Sequence, residues 1–492
     1  MRSNQTRHLR RFIRLANQEE STLFKTLRAD GKPQDACGQV NIPSEFNAKD
    51  WLSYLLHIDA ELEHGLMVQY LYAAYSMGGD HIAEEHRESV RQWQEIILGI
   101  AKEEMGHFVS VQNVLRVIGA ALNFNRQDFP WDTDLYPFPF KLEQFTKTSL
   151  AKYIFAESPA NWLTITQDDD KETKEIKKEI KKLIEDSVGK KELGDPISCI
   201  FKEVLAMLDP DSGYIPDDVF QADTYPFQAK FDEWGRGYKD GARGDSMKAN
   251  PKGAPNVLVA PLLSRTDTIN AVKEIAEQGE STEEVGNELS HFERFLSIYK
   301  QWRKLPEDFM PSRKVATNPT IGDSGADLSY SPSTGQVSNQ EIDYITDPLA
   351  QEWASLFDIR YRMLLTFLTH SFLLDDGYNN TGAFSPRGAI IHATFGEMYN
   401  LRSLSHVLMK MPLGDNSDKT AGPPFTIPYT MDLPIGESSR WKKHQDLIEA
   451  SAVLIEKLLL TADDTQRTYL YSLKEADQKL NAIADQIINV AV

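Results

Sequence analysis

Cysteine is nearly absent: Cys37 and Cys199 are the two in 492 residues. A disulfide framework is thereby excluded and a thiolate metal site disfavoured, and the chain fits a reducing, cytoplasmic compartment. No apolar run is long enough to span a bilayer, so no membrane partner is expected. Positive charge is in deficit: 53 Lys and Arg against 73 Asp and Glu leave a formal net charge of −20. That balance excludes a general nucleic-acid binder, which needs a basic face. Neither a phosphate-cradling P-loop nor a Gly-x-Ser-x-Gly nucleophile turn occurs. Strand-like alternation does not persist beyond a few residues. The basic, acid-free stretch from Met1 to Gln18 lacks the apolar centre of a secretory signal and reads as a surface helix, with an organelle transit peptide as the alternative.

What is present is helical periodicity in a chain whose apolar (41%) and aromatic (10%) fractions are those of a globular protein. After an irregular arm (1–48), long helical patterns run over 49–78 and 84–122. An aromatic, proline-rich crossover (124–142) leads to a helix over 143–157, which Pro159 ends. The Lys/Glu run at 167–193 suits a solvated helix with i,i+4 pairs. A short helix at 196–208 precedes a loop-rich stretch to 262 that suits a lid, a partner surface or a passive insertion, within an insert spanning 160–262. Helices return at 266–280 and 283–303. A connector (304–346) links them to C-terminal helices at 348–373, 387–411 and 441–488, the last broken near Asp463. The expected organisation is an all-α bundle over 49–303 with a C-terminal helical region, 347–492, packed on it.

One four-residue word occurs twice: Glu104-Met105-Gly106-His107 and Glu288-Leu289-Ser290-His291. On a helix, positions i and i+3 share a face, so each word aims a carboxylate and an imidazole at one point. Trp93, Ile97, Ile100, Glu104, His107, Val111, Val114 and Ile118 form one stripe at spacings of three and four, and Glu288, His291, Phe295, Ile298 and Trp302 form another. A carboxylate in such a stripe is severely desolvated unless paired or bound to metal. Glu103, Glu293 and Arg294 fall off the stripes. A single such word suits a buried ion pair equally well; two of them suit a bundle that holds two metal ions.

Each preceding helix should add one more acid. In 49–75 the stripe Leu52, Leu56, Asp59, Glu63, Met67, Tyr70 turns Glu63 inward; Asp59, with His57 close by, stands one turn earlier as an outer hydrogen-bonding group. In 266–280 the inward acid is Glu280, with Glu277 as the alternative. The expected metal set is Glu63, Glu104, His107, Glu280, Glu288 and His291. Four carboxylates and two imidazoles suit iron, with manganese as the alternative, and leave positions open for dioxygen. Tyr70, two turns beyond Glu63, is the candidate catalytic side chain, through a hydrogen bond to a ligand or a radical; core packing is its alternative. Glu397 shares a stripe with Ile390, Thr394 and Leu401, but Asn400 stands where His would complete the word, so it reads as a buried acid and not a second centre.

Leu62-Glu63-His64 through Tyr70-Leu71-Tyr72-Ala73, Glu103 through His107, Gln278-Gly279-Glu280 and Ser290 through Phe295 resemble the ferritin-like domain of the iminophenyl-pyruvate dimer synthase type. Glu157-Ser158-Pro159, Glu397 through Leu408 and Gly422-Pro423-Pro424-Phe425 are similar to later blocks of that family, so the resemblance covers roughly 49–460. It implies a ferritin-like four-helix bundle and oxidative chemistry on an amino-acid-derived small molecule in specialised metabolism. The expectation is therefore a non-haem di-iron oxidoreductase or oxygenase using O2. The alternatives are imine-coupling activity of the dimer synthase kind and metal handling without an organic substrate. A homo-oligomer is compatible with these features.

Overall fold

The computed structural model describes residues 39–131, 138–159, 161–188, 198–234, 256–280, 289–322, 329–330, 337–338, 342–375, 385–427 and 430–490. Helix α1 (Ala48–Ser76) starts at Asn47, whose side chain accepts from the Asp50 amide at 3.0 Å. From Trp51 to Ala74 it is buried on nearly every side, as expected of a helix with apolar residues all round. Helix α2 (Glu84–Val117) opens with exposed Glu84, Glu85, Glu88 and Arg91 and is buried on nearly all sides beyond Ile97. The two pack along each other, joined by residues 77–83.

Helix α3 (Lys147–Ala156) is held at its start by a reciprocal Thr146–Ser149 capping box. It ends where expected, with Glu157 as its C-cap before Pro159. Helix α4 (Lys171–Val188) lies against α3. The solvated helix expected there is corrected on one face: Ile176, Ile180 and Ile184, four apart, are buried. Helix α5 (Ser198–Leu208) meets α1, where the Trp51 indole donates to Glu203 (2.8 Å). Cys199 lies on α5 and is disulfide-bonded. A short helix α6 (Phe231–Trp234) precedes α7 (Arg265–Glu280), which packs mainly on α5.

Helix α8 (His291–Trp302) packs on α3 and touches α2 and α7. The second Glu-x-x-His word is not one helical turn: Ser290 has extended backbone and caps α8 by accepting from the Glu293 amide (3.2 Å). His291 is thus the first residue of α8.

The connector is not wholly irregular. Strand β1 (Thr320–Ile321) pairs in parallel with β4 (Tyr344–Ile345), and β2 (Ser329–Tyr330) pairs antiparallel with β3 (Val337–Ser338). Helices α9 (Pro348–Ser371), α10 (Pro386–Leu408), α11 (Glu437–Leu459) and α12 (Asp464–Val490) form a second bundle. Each gives a residue to one buried polar cluster: Arg360 bonds Glu397 (2.7 Å), Asp477 (2.7 Å) and Ser451 (3.3 Å). Glu397 is therefore a buried acid clamped by arginine. No helix among the described residues is long and apolar enough to cross a membrane.

Candidate metal centre

Four elements converge on one buried point. Helix α1 brings Glu63, α2 brings Glu104 and His107, the end of α3 brings Glu157, and the start of α8 brings His291; none is more than 5% exposed. They form two triads that share Glu104: Glu63–Glu104–His107 and Glu104–Glu157–His291. His107 Nδ1 lies 3.1 Å from Glu104 Oε2 and 3.5 Å from Glu63 Oε2. His291 Nδ1 lies 2.7 Å from Glu104 Oε1 and 3.7 Å from Glu157 Oε2. The two imidazole rings stand 5.4 Å apart, 25° from parallel.

These atoms fit a pair of cations. Two ligands of one ion, each roughly 2 Å from it, sit about 3 Å apart. Asp59 Oδ1 and Glu63 Oε2 are buried without a hydrogen-bond partner among the described residues, and Glu104 Oε1 and His291 Nδ1 face each other without a well-directed bond. Burial of polar atoms in that condition costs free energy, and a metal would satisfy them. Hard oxygen and imidazole donors without thiolate are what iron or manganese takes.

The charges are strongly coupled. Burial, then the Glu104 charge, push Glu63 well above the usual carboxylate range and Asp59 up to about 8. The same two causes raise Glu157. Burial alone would raise Glu104 as well, but the His291 charge and bonds with Glu63, His107 and His291 hold it well below the usual range. Burial would lower His291, yet Glu104 and bonds to Glu103, Glu104 and Glu157 raise it well above. Protons thus hold the cluster together, and cations of higher charge would displace them.

An outer ring of hydrogen bonds orients the inner one. His107 Nε2 meets Gln278 Oε1 at 2.9 Å, and His291 Nε2 meets Glu103 Oε2 at 3.0 Å. Arg294 donates to the same Glu103 oxygen, and Tyr70 donates to Glu157 Oε1. Burial raises Glu103, but the Arg294 charge and the bond from His291 lower it to about 2.

The structure brings together four of the expected metal residues: Glu63, Glu104, His107 and His291. Glu288 lies outside the described residues, and so does the Glu280 side chain, whose backbone ends α7. Glu277 is exposed. A further acid, Glu157 at the end of α3, stands in the second triad. Asp59 is buried beside Glu63 and Glu104. His57 instead meets the Ala121 carbonyl (2.8 Å). Glu103 and Arg294, off the stripes, are buried; Glu103 holds His291, and Arg294 holds Glu103. Glu157 has its own signal, since Leu150, Ile154 and Glu157 repeat the spacing of Ile100, Glu104 and His107.

Residues 56–300 match the ferritin-like family model. The chain is similar to dichlorochromopyrrolate synthase of Lentzea aerocolonigenes, at 23% identity over 415 residues, covering 74% of this chain and 35% of that protein. It is also similar to 2-imino-3-(indol-3-yl)propanoate dimerase of Chromobacterium violaceum, at 29% identity over 144 residues, covering 24% of this chain and 14% of that protein. The chain therefore matches about a third of the length of the first relative and about a seventh of the second. No solved structure matches it. With its metal-type triads and its matched span, residues 56–300 form a ferritin-like domain, in a chain similar to these two relatives.

Proposed function

We propose that the chain is a non-haem di-iron oxidoreductase that uses dioxygen on an amino-acid-derived small molecule. The observation that carries this is the pair of buried triads joined through Glu104. Glu63 and His107 would help hold one ion and Glu157 and His291 the other, with Glu104, common to both triads, available to either. Bound there, two irons supply the activation of dioxygen that no side chain supplies.

The chain's own residues prepare the site. Gln278 and Glu103 fix both imidazoles with Nδ1 facing the carboxylates. Tyr70 donates its hydroxyl proton to Glu157 and leaves Oε2 for the metal. The rings of Tyr70, Tyr153 and Phe295, with centroids 4.9–5.6 Å apart, exclude water behind Glu157. The relatives are by name a synthase and a dimerase, and the name of the dimerase favours a 2-imino acid as substrate. They also favour imine coupling as a second reading, though the matched lengths leave most of those proteins without a counterpart here.

The test starts with metal analysis of protein reconstituted with iron, for which two irons per chain are expected. The reduced protein is then mixed with dioxygen, with and without an imine generated in place from an aromatic amino acid. Faster oxygen consumption with the imine supports the proposal, and product masses separate oxygen insertion from coupling. Oxidation to iron mineral, indifferent to the imine, would favour metal handling instead.

A further inference from the structure

The two imidazoles are held by different chemistry. Behind His107 stands a neutral amide. Gln278 Nε2 donates to the Asn256 carbonyl (3.0 Å), so its oxygen is the atom that faces His107 and accepts from Nε2. Behind His291 stands a carboxylate. Glu103 Oε1 accepts from the Asn256 amide (2.8 Å), while Oε2 accepts from His291 and Arg294. One residue's peptide groups, the N–H and C=O of Asn256, thus anchor both arms. The arms differ in one respect that matters to a metal: a carboxylate behind a ligating imidazole makes it a stronger donor, and an amide only orients it.

We infer that the two metal positions are unequal: the Glu104–Glu157–His291 position fills first and more tightly, the Glu63–Glu104–His107 position second, with Glu103 and Gln278 as the positioning residues that set the difference. This rests on the di-metal reading above. Glu104 is common to both triads and does not separate them. Asp59, beside Glu63, would favour the opposite order, so the sequence of filling tells which influence governs.

Zinc is the probe, because it takes imidazole and carboxylate ligands and is diamagnetic. The full chain is stripped of metal, labelled with 15N-histidine and titrated with Zn2+; His107→Ala and His291→Ala assign the two rings. At the first equivalent the His291 signals should move and those of His107 stay, and at the second His107 should follow. Glu103→Gln should weaken the first step by about 10–100-fold and leave the second unchanged. If that variant fails to fold, the order of filling in the unaltered chain decides alone. Simultaneous filling, His107 first, or an unchanged first step in a folded Glu103→Gln variant overturns the inference and leaves the di-metal reading standing. Failure of the folded chain to take up zinc or iron overturns both.

Discussion

Five carboxyl groups, Asp59, Glu63, Glu103, Glu104 and Glu157, are buried around two imidazoles. Which of them binds metal is separable residue by residue. Glu157→Ala should lower bound iron below two per chain, as should His107→Ala and His291→Ala, whereas Glu277→Ala should leave it unchanged; elemental analysis reads the result. Full iron in Glu157→Ala would return the third-acid role to α7. Asp59 gives a pH prediction. Its carboxyl is pushed up to about 8, so the folded protein keeps a proton that the unfolded chain has released above about pH 4. After chelation, stability should therefore fall as pH rises through that window, and Glu61, pushed up to about 7, adds in the same sense. Glu103, at about 2, acts oppositely, but only in acid below its unfolded value. Between about pH 6 and about pH 8 the loss should be roughly 1–3 kcal/mol, and Asp59→Asn should flatten it, as measured by denaturant unfolding. Glu63, Glu104, His107 and His291 were legible in the sequence because a charged residue in an apolar stripe is conspicuous. Glu103 and Arg294 were not, because α2 and α8 are covered on faces that periodicity assigns to solvent. Glu157 was overlooked because the third acid was sought in the helix directly before His291.

Among the elements, most helix spans followed from periodicity and stop signals, down to the break before Asp464. The partners of each helix did not, since α3 and α8 meet across a long insert. The least legible element is the extended strap of residues 256–262, which has no periodic pattern and yet carries Asn256. It lies along α2, where the Ser110 hydroxyl donates to the Leu258 carbonyl (2.8 Å) and the Asn113 amide to the carbonyls of Ala260 and Ala229 (2.9 Å each). Gly106 makes room for it: a Cβ there would stand 2.9 Å from Val257 Cγ1, 3.2 Å from Leu258 N and 3.3 Å from Leu258 O. Gly106→Ala gains about 1 kcal/mol of helix propensity. Against this, overpacking costs about 1–3 kcal/mol, and valine has little rotamer freedom to retreat. The net effect should be a loss of up to about 2 kcal/mol. Because the strap must lift, Asn256 should lose its hold on Glu103 and Gln278, and metal affinity should fall more than stability does. Thermal unfolding with parallel metal titration checks this, and unchanged metal affinity would detach the strap from the centre.

At the scale of the molecule, the second bundle is tied to the first by buried polar contacts. His64, next to Glu63, meets the Tyr361 hydroxyl at 2.5 Å; Arg126 donates to that hydroxyl (3.2 Å) and to the Phe425 carbonyl; Arg116 donates to the Phe372 carbonyl (2.5 Å). The strongest tie is Arg387 at the start of α10. It grips both oxygens of Glu233 on α6 (2.8 Å each) and the carbonyls of Gln228, Ser371 and Leu374 (2.6 Å each), with both charged side chains fully buried. Removing one partner of such a pair costs about 3–5 kcal/mol, because the other charge stays buried without its counterion. Arg387→Ala should destabilise by that order, and release of bound metal should shift to lower temperature together with the helical signal, since α6 belongs to the first half and α10 to the second. Glu233→Gln added to Arg387→Ala should restore part of the loss, since no charge is then left behind. The recovery is only partial because the three carbonyls remain deprived of their donor, each worth about 1–3 kcal/mol. No recovery at all would mean that the contact with the Gln228 carbonyl, rather than the ion pair, joins the two halves.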